Sequence, residues 1–581
     1  MAPPPTAAEQ TTQPFSQQLR SLGGVYWIAN WMELVERFAY YGVRVILPVF
    51  MVAAIEMGGP QFDHVQKGTI YAIWALVQSF VPIFTGGFAD RYGFKLNIAA
   101  STVLKIVGYV LMGYCLELAQ FLAGGTPLAE ARALGTDRTY EIFFAGAMFL
   151  ATGTAVFKPG LQGLIANEMP KTASSLGWGI FYQMVNIGGF IGPLLAGYLR
   201  ILEWRYVFVA CAVGIALNFI PLFFFKEPEH QGSDNTATPL QLIQNAIRGL
   251  LEPRLFFFTI AFAGFWLMFY QLFDILPNFI DDWVDSRSAA SALGGIFGAG
   301  AVPTINGGNL TQEWMINANA LLISVLAFAV GYFTGKMRSL TAIVVGIGIS
   351  AAAIYGLGMS MSGWWILGAI ALFSVGEMAA SPTKMRYLAG IAPAGKQGLY
   401  MGYVNMTVGI GWSIGSIVAG EWYQTNGDKT ELAKRYLVEK GGVEAATIAA
   451  LPKSEILPFF ERHFSVDAWG ARELLWNNYD PSGMWLIFTL IGLGSGVAIL
   501  AYDKLCTAAD RNPQHSFNLR GHLWVRGLLV PICLAFYTGL VFRPSGALWV
   551  QAVMFTLLFV ASFWPEKKPE PAPRVDLSPG V

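Results

Sequence analysis

Charge is scarce in this chain. Its 581 residues hold 37 Lys and Arg and 37 Asp and Glu, 13% of the total, where an ordinary soluble domain carries about 25%. A soluble protein of this length divides into several cores separated by charged surface. With apolar residues at 54% and a mean hydropathy of +0.49, there is too little charge to cover such surfaces. The composition argues against a soluble enzyme and for a multi-pass membrane protein. The formal net charge is zero, so no basic footprint points to nucleic acid. Cysteine is scarce too. Cys115, Cys211, Cys506 and Cys533 lie far apart, in or beside apolar runs, with neither a disulfide framework nor metal-ligand spacing. They read as small apolar fillers. The five histidines (His64, His230, His463, His515 and His522) fall in expected loops or at helix ends, so a metal or haem site inside the membrane has no evident ligands.

Apolar runs are plentiful. A spanning helix needs about 20 mostly apolar residues. Such runs lie at 25–53, 68–88, 96–119, 140–166, 174–199 and 205–225, and after a polar stretch at 254–280, 315–335, 340–360, 364–389, 398–420 and 482–502. Two more close the chain at 523–541 and 545–563. The expectation is an all-α membrane protein of about 14 helices. Residues 1–24 form a disordered tail without the basic start and apolar core of a signal peptide. A six-helix bundle follows at 25–225, a linker at 226–253, and a second six-helix bundle at 254–502. A hairpin at 503–563 and a tail at 564–581 complete the chain.

Basic residues set orientation. With the N-terminus inside, the cytoplasmic connections collect Arg91, Lys95, Lys171, Lys226, Arg248, Arg254, Lys336, Arg338, Lys396, Lys504, Arg511 and Arg520, while the other side holds fewer. Both termini are then cytoplasmic, in the inner cell membrane. One outer connection, 422–480, is rich in charge and reads as short amphipathic helices forming a soluble cap, with a substrate-capturing or partner-binding lid as the alternative. GGFADRYGFK follows the second helix, and GYFTGKMR follows the eighth at the equivalent point of the second half. Two related halves are a transporter signature with the site between them. In the first of these loops Gly86 and Gly87 allow close helix approach, and Asp90 and Arg91 can pair across neighbouring helix ends. GGxADRxG resembles the loop motif of the major facilitator superfamily.

The first apolar run contains Glu33, Glu36, Arg37 and Arg44. Each costs about 2.5–3.5 kcal/mol at a bilayer centre, against a return of only about 0.3–0.6 kcal/mol from each Leu, Ile, Phe or Val. At about 100° per residue these four and Tyr40 fall within an arc of roughly 100°. One polar stripe on an apolar helix must face a cavity or other helices. A structural ion-pair cluster is the plain alternative, and Tyr40 and Arg44 extend the stripe beyond one pair. Lys158 in the fourth run, Asn186 in the fifth, Trp266, Tyr270 and Asp274 in the seventh, Asn319 in the eighth and Glu377 in the tenth are polar or amphipathic groups that can meet it.

ExxERFxYYGxR (Glu33 to Arg44), GTxxxKP (Gly153 to Pro159), FYxxxNxG (Phe181 to Gly188), FWxxxxQ (Phe265 to Gln271) and GExxxSP (Gly376 to Pro382) together resemble the proton-dependent oligopeptide transporters of the major facilitator superfamily. The resemblance covers about residues 25–502. It implies a symporter importing di- and tripeptides by alternating access, with protons as the coupling ion, no other cofactor, small peptides and the lipid bilayer as partners, and a monomeric unit. It implies that Glu33, Glu36 and Arg37 couple to protons with Lys158 as their partner. Arg44 and Lys158 would receive the peptide carboxylate. Glu377 with Asn319 would receive the amino terminus, and Asn186 would bond the peptide backbone. Tyr40, Tyr41, Tyr71, Trp266 and Tyr270 would line the pocket, and Asp90, Arg91 and Asp274 would serve the conformational change. The chain departs from the family where an acid usually precedes Gln271: Tyr270 stands there, with Asp274 one turn on as a substitute. Ala72 stands where animal relatives carry a histidine, and Ala320 where a proline usually follows Asn319. Two other readings stay open, a proton-coupled carrier of another solute (nitrate, a modified peptide or a drug) and a non-transporting peptide sensor. No nucleophile–base constellation suggests an enzyme.

Overall fold

The computed structural model describes residues 14–83, 85, 93–226, 239–392 and 397–564. Long apolar runs become long helices, because a backbone in lipid must satisfy its own hydrogen bonds. In chain order these are α1 (Gly24–Phe50), α2 (His64–Phe80), α3 (Phe94–Gly113), α4 (Thr139–Glu168), α5 (Ser174–Leu202), α6 (Trp204–Ala216) and α7 (Pro253–Phe269). They are followed by α8 (Gln312–Gly335), α9 (Ser339–Leu357), α10 (Gly363–Ile391), α11 (Gln397–Asn426), α12 (Met484–Arg511), α13 (Ser516–Phe542) and α14 (Gly546–Ala561). Among the described residues ten helices, α3 to α10 with α12 and α13, are long and apolar enough to cross a membrane. The chain is an all-α, multi-pass membrane protein.

Helix pairing repeats with a shift of six. α1 packs on α5 as α7 packs on α11; α3 on α4 as α9 on α10; α6 on α3 and α1 as α12 on α9 and α7. Small residues make the first of these pairings possible in both halves. A Cβ on Gly188 or Gly192 of α5 would strike the Leu34 or Phe38 carbonyl of α1. A Cβ on Gly411 or Gly415 of α11 would strike the Ala263 or Leu267 carbonyl of α7. Such glycines let membrane helices approach backbone to backbone. The two sets of six meet along α2 and α11 and along α5 and α8.

Several sequence expectations are corrected. α7 is not one rod. It breaks at Tyr270 and at Ile275, continuing as Gln271–Asp274 and Leu276–Trp283, and the second break precedes Pro277, which has no N–H for the Phe273 carbonyl. α8 begins at Gln312, so Asn319 lies two turns inside it rather than at its start. A further helix, Arg287–Phe297, and a hairpin pairing Thr304–Ile305 with Asn309–Leu310 fill the connection before it. The linker contains an amphipathic helix, Pro239–Leu250. The last two helices pack at the periphery, with most of their apolar side chains on the outside. α14 touches both α2 and α11, and its fully buried Gln551 donates to Ser413 on α11. Asp90 and Arg91 lie outside the described residues.

Residues 429–479 form the cap, with helices Lys429–Glu439, Ala445–Ala449, Ile456–Phe464 and Ala468–Tyr479. Ile456, Phe460 and Leu475 are fully buried beneath it. Arg472 donates to the Val284 carbonyl at 3.1 Å, and Lys453 Nζ reaches the Val52 carbonyl beyond α1 at 2.8 Å. The cap therefore rests on both halves. The end of the bundle that bears it is the cap face.

Candidate functional site

The polar stripe of α1 faces inward. Glu33, Glu36, Arg37 and Arg44 are all buried, at 5% exposure or less. Arg37 Nε lies 3.1 Å from Glu33, and its other arm pairs with Glu36. Glu36 has a second cation, Lys105 Nζ of α3 at 2.7 Å, itself fully buried over the Phe157 ring. The expected partner, Lys158, makes no ion pair among the described residues. It is partly exposed one helix away and acts on Glu33, Glu36 and Arg37 only through space. The geometric reason is that Lys105 of α3 already fills the open side of Glu36. Two carboxylates thus face three cations, Arg37, Lys105 and Lys158, and the cluster has one positive charge to spare. Glu33 Oε2 has no hydrogen-bond partner, so the site retains an open acceptor.

Arg44, two turns further along α1, is bound to Asp274, the acid at the break in α7. Asp274 is held from three sides, since Trp412 Nε1 and Ser416 Oγ of α11 donate to its other oxygen at 3.0 and 2.8 Å. The Arg44 guanidinium lies over the Tyr71 ring at 4.1 Å. Tyr40 donates to Gln78 at 3.0 Å, and Tyr41 stands edge-on to Tyr40. Tyr270 stacks flat on Trp412 with centroids 4.3 Å apart. The broken α7 also exposes the Asp274 carbonyl to Lys67 Nζ of α2 at 3.1 Å, and Lys67 bonds Asn278 at 2.7 Å.

In the second half, Glu377 accepts from Asn319 at 3.0 Å, and Asn319 also bonds Ser374 at 3.0 Å. No cation pairs with Glu377 among the described residues, though it is near enough to act on Tyr41 and Tyr182 of the first half. Asn186 donates to Tyr182 of its own helix at 3.0 Å. Trp266 is buried beneath Lys384, whose ammonium lies 4.3 Å above its ring. The structure therefore gathers Glu33, Glu36, Arg37 and Lys158 in one cluster. Arg44, Tyr71 and Asp274 form a second, and Asn319 with Glu377 a third.

The halves are tied at the cap face. Their three described ion pairs are Arg44 with Asp274 and Arg200 with both Asp281 and Glu313 (2.8 Å), and His64 adds a hydrogen bond to Asp428 at 3.0 Å. Gln312 to the Val45 carbonyl and Asn317 to the Phe190 carbonyl add to them. Lys67, Lys105, Arg200 and Lys384 were not singled out from sequence. Each was visible as a lone cation in or beside an apolar run, the same signal that marked Lys158.

Residues 31–313 match the family model of the Major Facilitator Superfamily. That match spans just under half of the chain, and the chain is similar to the major facilitator superfamily over it. The family-model and structural matches point to transport rather than to an enzyme. Among curated relatives it is similar to "Multidrug resistance protein MdtH" of Proteus mirabilis (strain HI4320), 22% identical over 441 residues, covering 75% of this chain and 95% of that one. The fold is similar to a solved POT family transporter in complex with 5-aminolevulinic acid, with a TM-score of 0.57 and 16% identity over 82% of this chain and 95% of that one. A POT family transporter in complex with a thioalcohol-conjugated peptide gives the same TM-score and identity over 84% and 99%.

Proposed function

We propose that this transporter is a proton-coupled symporter that imports di- and tripeptides by alternating access. The observation that carries the reading is the division of unspent charge. The first half holds a surplus cation, Lys158, beside Glu33 and Glu36, and the second holds Glu377 with only a neutral amide on it. A zwitterion bridging them satisfies a charge on each half and draws the halves together. A residue spans about 3.3–3.6 Å, so a fixed charge separation selects for chains of two or three residues. Side chains then need only the aromatic walls of Tyr40, Tyr41 and Trp266.

Protonating Glu33 or Glu36 changes which cations are paired. Two unit charges 4 Å apart interact by about 4 kcal/mol at an effective dielectric of 20. That is comparable to the ~5.5 kcal/mol that shifts a two-state population from 1:99 to 99:1. Asp274 supplies a second switch, because Arg44 links α1 of one half to α7 of the other. Releasing Arg44 from Asp274 frees it for a substrate carboxylate and loosens the cap face. With that face closed, this is the inward-facing end of the cycle. The basic connections support an inner-membrane protein with both termini in the cytoplasm. Both halves of the site come from one chain, so a monomer is the transport unit.

A second reading, a proton-coupled carrier of another small solute, has its own support. The flat Tyr270–Trp412 pair sits beside the Arg44–Asp274 bridge and offers an aromatic surface to a planar solute. Uptake by proteoliposomes under an inward proton gradient separates the readings. The peptide reading expects accumulation of dialanine, blocked by other dipeptides. Accumulation of a planar drug, with dialanine neither carried nor competing, overturns it.

A further inference from the structure

Lys384 is a buried charge that the mechanism above leaves idle. It lies on α10 at 2% exposure, against the faces of Trp266 (4.3 Å) and Phe262 (5.6 Å). Its hydrogen bond to the Val404 carbonyl is long, at 3.4 Å. No ion pair of Lys384 is found among the described residues. Lys105, equally buried, sits 2.7 Å from Glu36. An ammonium has three protons to donate. Beside it the indole N–H of Trp266 is also buried without an acceptor. Buried donors are nearly always satisfied, and a buried cation is kept by a partner. The Trp266 N–H lacks an acceptor, Lys384 has only the long bond to the Val404 carbonyl, and the partner that suits both is an anion.

The position of the gap says which anion. Seven residues along a helix return to within about 20° of the same direction, with a rise of ~10.5 Å. Lys384 therefore follows Glu377 on one face of α10. An extended tripeptide separates its amino and carboxyl ends by roughly 10 Å. Arg44, the carboxylate receiver that the family resemblance implies, is occupied by Asp274 while the cap face is closed.

We propose that Lys384 and Trp266 form an anion subsite that takes the carboxylate of a substrate whose amino group is held by Glu377, so that the ligand lies along α10 in the cap-closed state. This rests on the peptide reading and adds to it a second carboxylate site, an alternative to Lys158 for a substrate that lies along α10 instead of across the halves. The subsite favours tripeptides, whose ends match the spacing, and dipeptides whose acidic side chain reaches it.

The test is equilibrium binding of trialanine and trialanine amide to the purified full-length chain. The wild type is expected to favour the free carboxylate by about tenfold or more, as for a charge-assisted hydrogen bond. Lys384→Met should bring that ratio close to one while binding the amide as the wild type does, and Lys384→Arg should keep the ratio. Retained amide binding shows that the variant folds. If Lys384→Met does not fold, Trp266→Phe removes only one donor and should lower the ratio; an unchanged ratio there overturns the subsite. A wild-type ratio persisting in Lys384→Met also overturns it and leaves the peptide reading standing. A wild type that binds neither peptide overturns the peptide reading, and the subsite with it.

Discussion

The two halves repeat each other helix for helix, yet they spend charge in opposite ways. In the first half, Lys105 is fully buried and bonded to Glu36, which also holds Arg37, which holds Glu33. In the second half, Glu377 has an amide for company and Lys384 has an aromatic face. A backbone repeat therefore does not carry a chemical repeat with it. The first half is a paired network that a proton can rearrange. In the second, Glu377 and Lys384 lack an ion-pair partner among the described residues. On the proposed function, coupling and recognition are divided between the halves, and rocking one against the other joins them.

That contrast can be broken by substitution. The largest effect belongs to the surplus cation. Lys158→Met leaves Glu33, Glu36, Arg37 and Lys105 mutually neutralised, and proton-driven uptake of dialanine should fall by about 100-fold, of the order of losing a buried charge pair across an interface. Next, Glu377→Gln should weaken peptides with a free amino group by about tenfold or more and leave N-acetylated ones unchanged; equal losses, measured by competition, would remove the amino-terminus role. A third pair sharpens the comparison in stability. Lys105→Met strips a partner from a buried carboxylate and should cost about 3–5 kcal/mol, whereas Lys384→Met removes an unpaired charge and should be neutral or stabilising. Thermal unfolding of the two variants in the same detergent checks this, and equal destabilisation would contradict it. The smallest effect lies at the extra hairpin. Gln551→Leu deletes one buried bond to Ser413 and should cost about 1 kcal/mol. It should not change substrate preference, because α14 braces the α2–α11 seam from outside the site.

Much of the fold was legible before any coordinates. Runs of apolar residues near bilayer length can do little but span, and the stripe from Glu33 to Arg44 could not face lipid. The inward placement of that stripe follows from those rules, and the association of Asn319 with Glu377 was implied by the family resemblance. Pairing was not legible. Lys105 sits mid-run with nothing local to show that it reaches Glu36, 69 residues away, and Lys158 looked the better partner because it belongs to a named motif. His64 and Arg200 lie at helix ends, where a charge normally finds water; only the closure of the cap face puts Asp428, Asp281 and Glu313 against them. The break in α7 turned Asp274 from a replacement for a missing acid into the centre of a four-residue knot with Arg44, Trp412 and Ser416. Gln551 hid in a run that reads as lipid-facing, since one amide among apolar residues carries no periodic signal.

On the proposed function, the carboxylates of α1 convert a proton gradient into movement of the halves. The direct measurement is labelled dialanine uptake into proteoliposomes by the wild type and Glu36→Gln, under an inward proton gradient and in counterflow without one. The wild type should accumulate the peptide uphill. Glu36→Gln should exchange it in counterflow but not concentrate it. A Glu36→Gln transporter that still concentrates dialanine under the gradient contradicts proton coupling through α1.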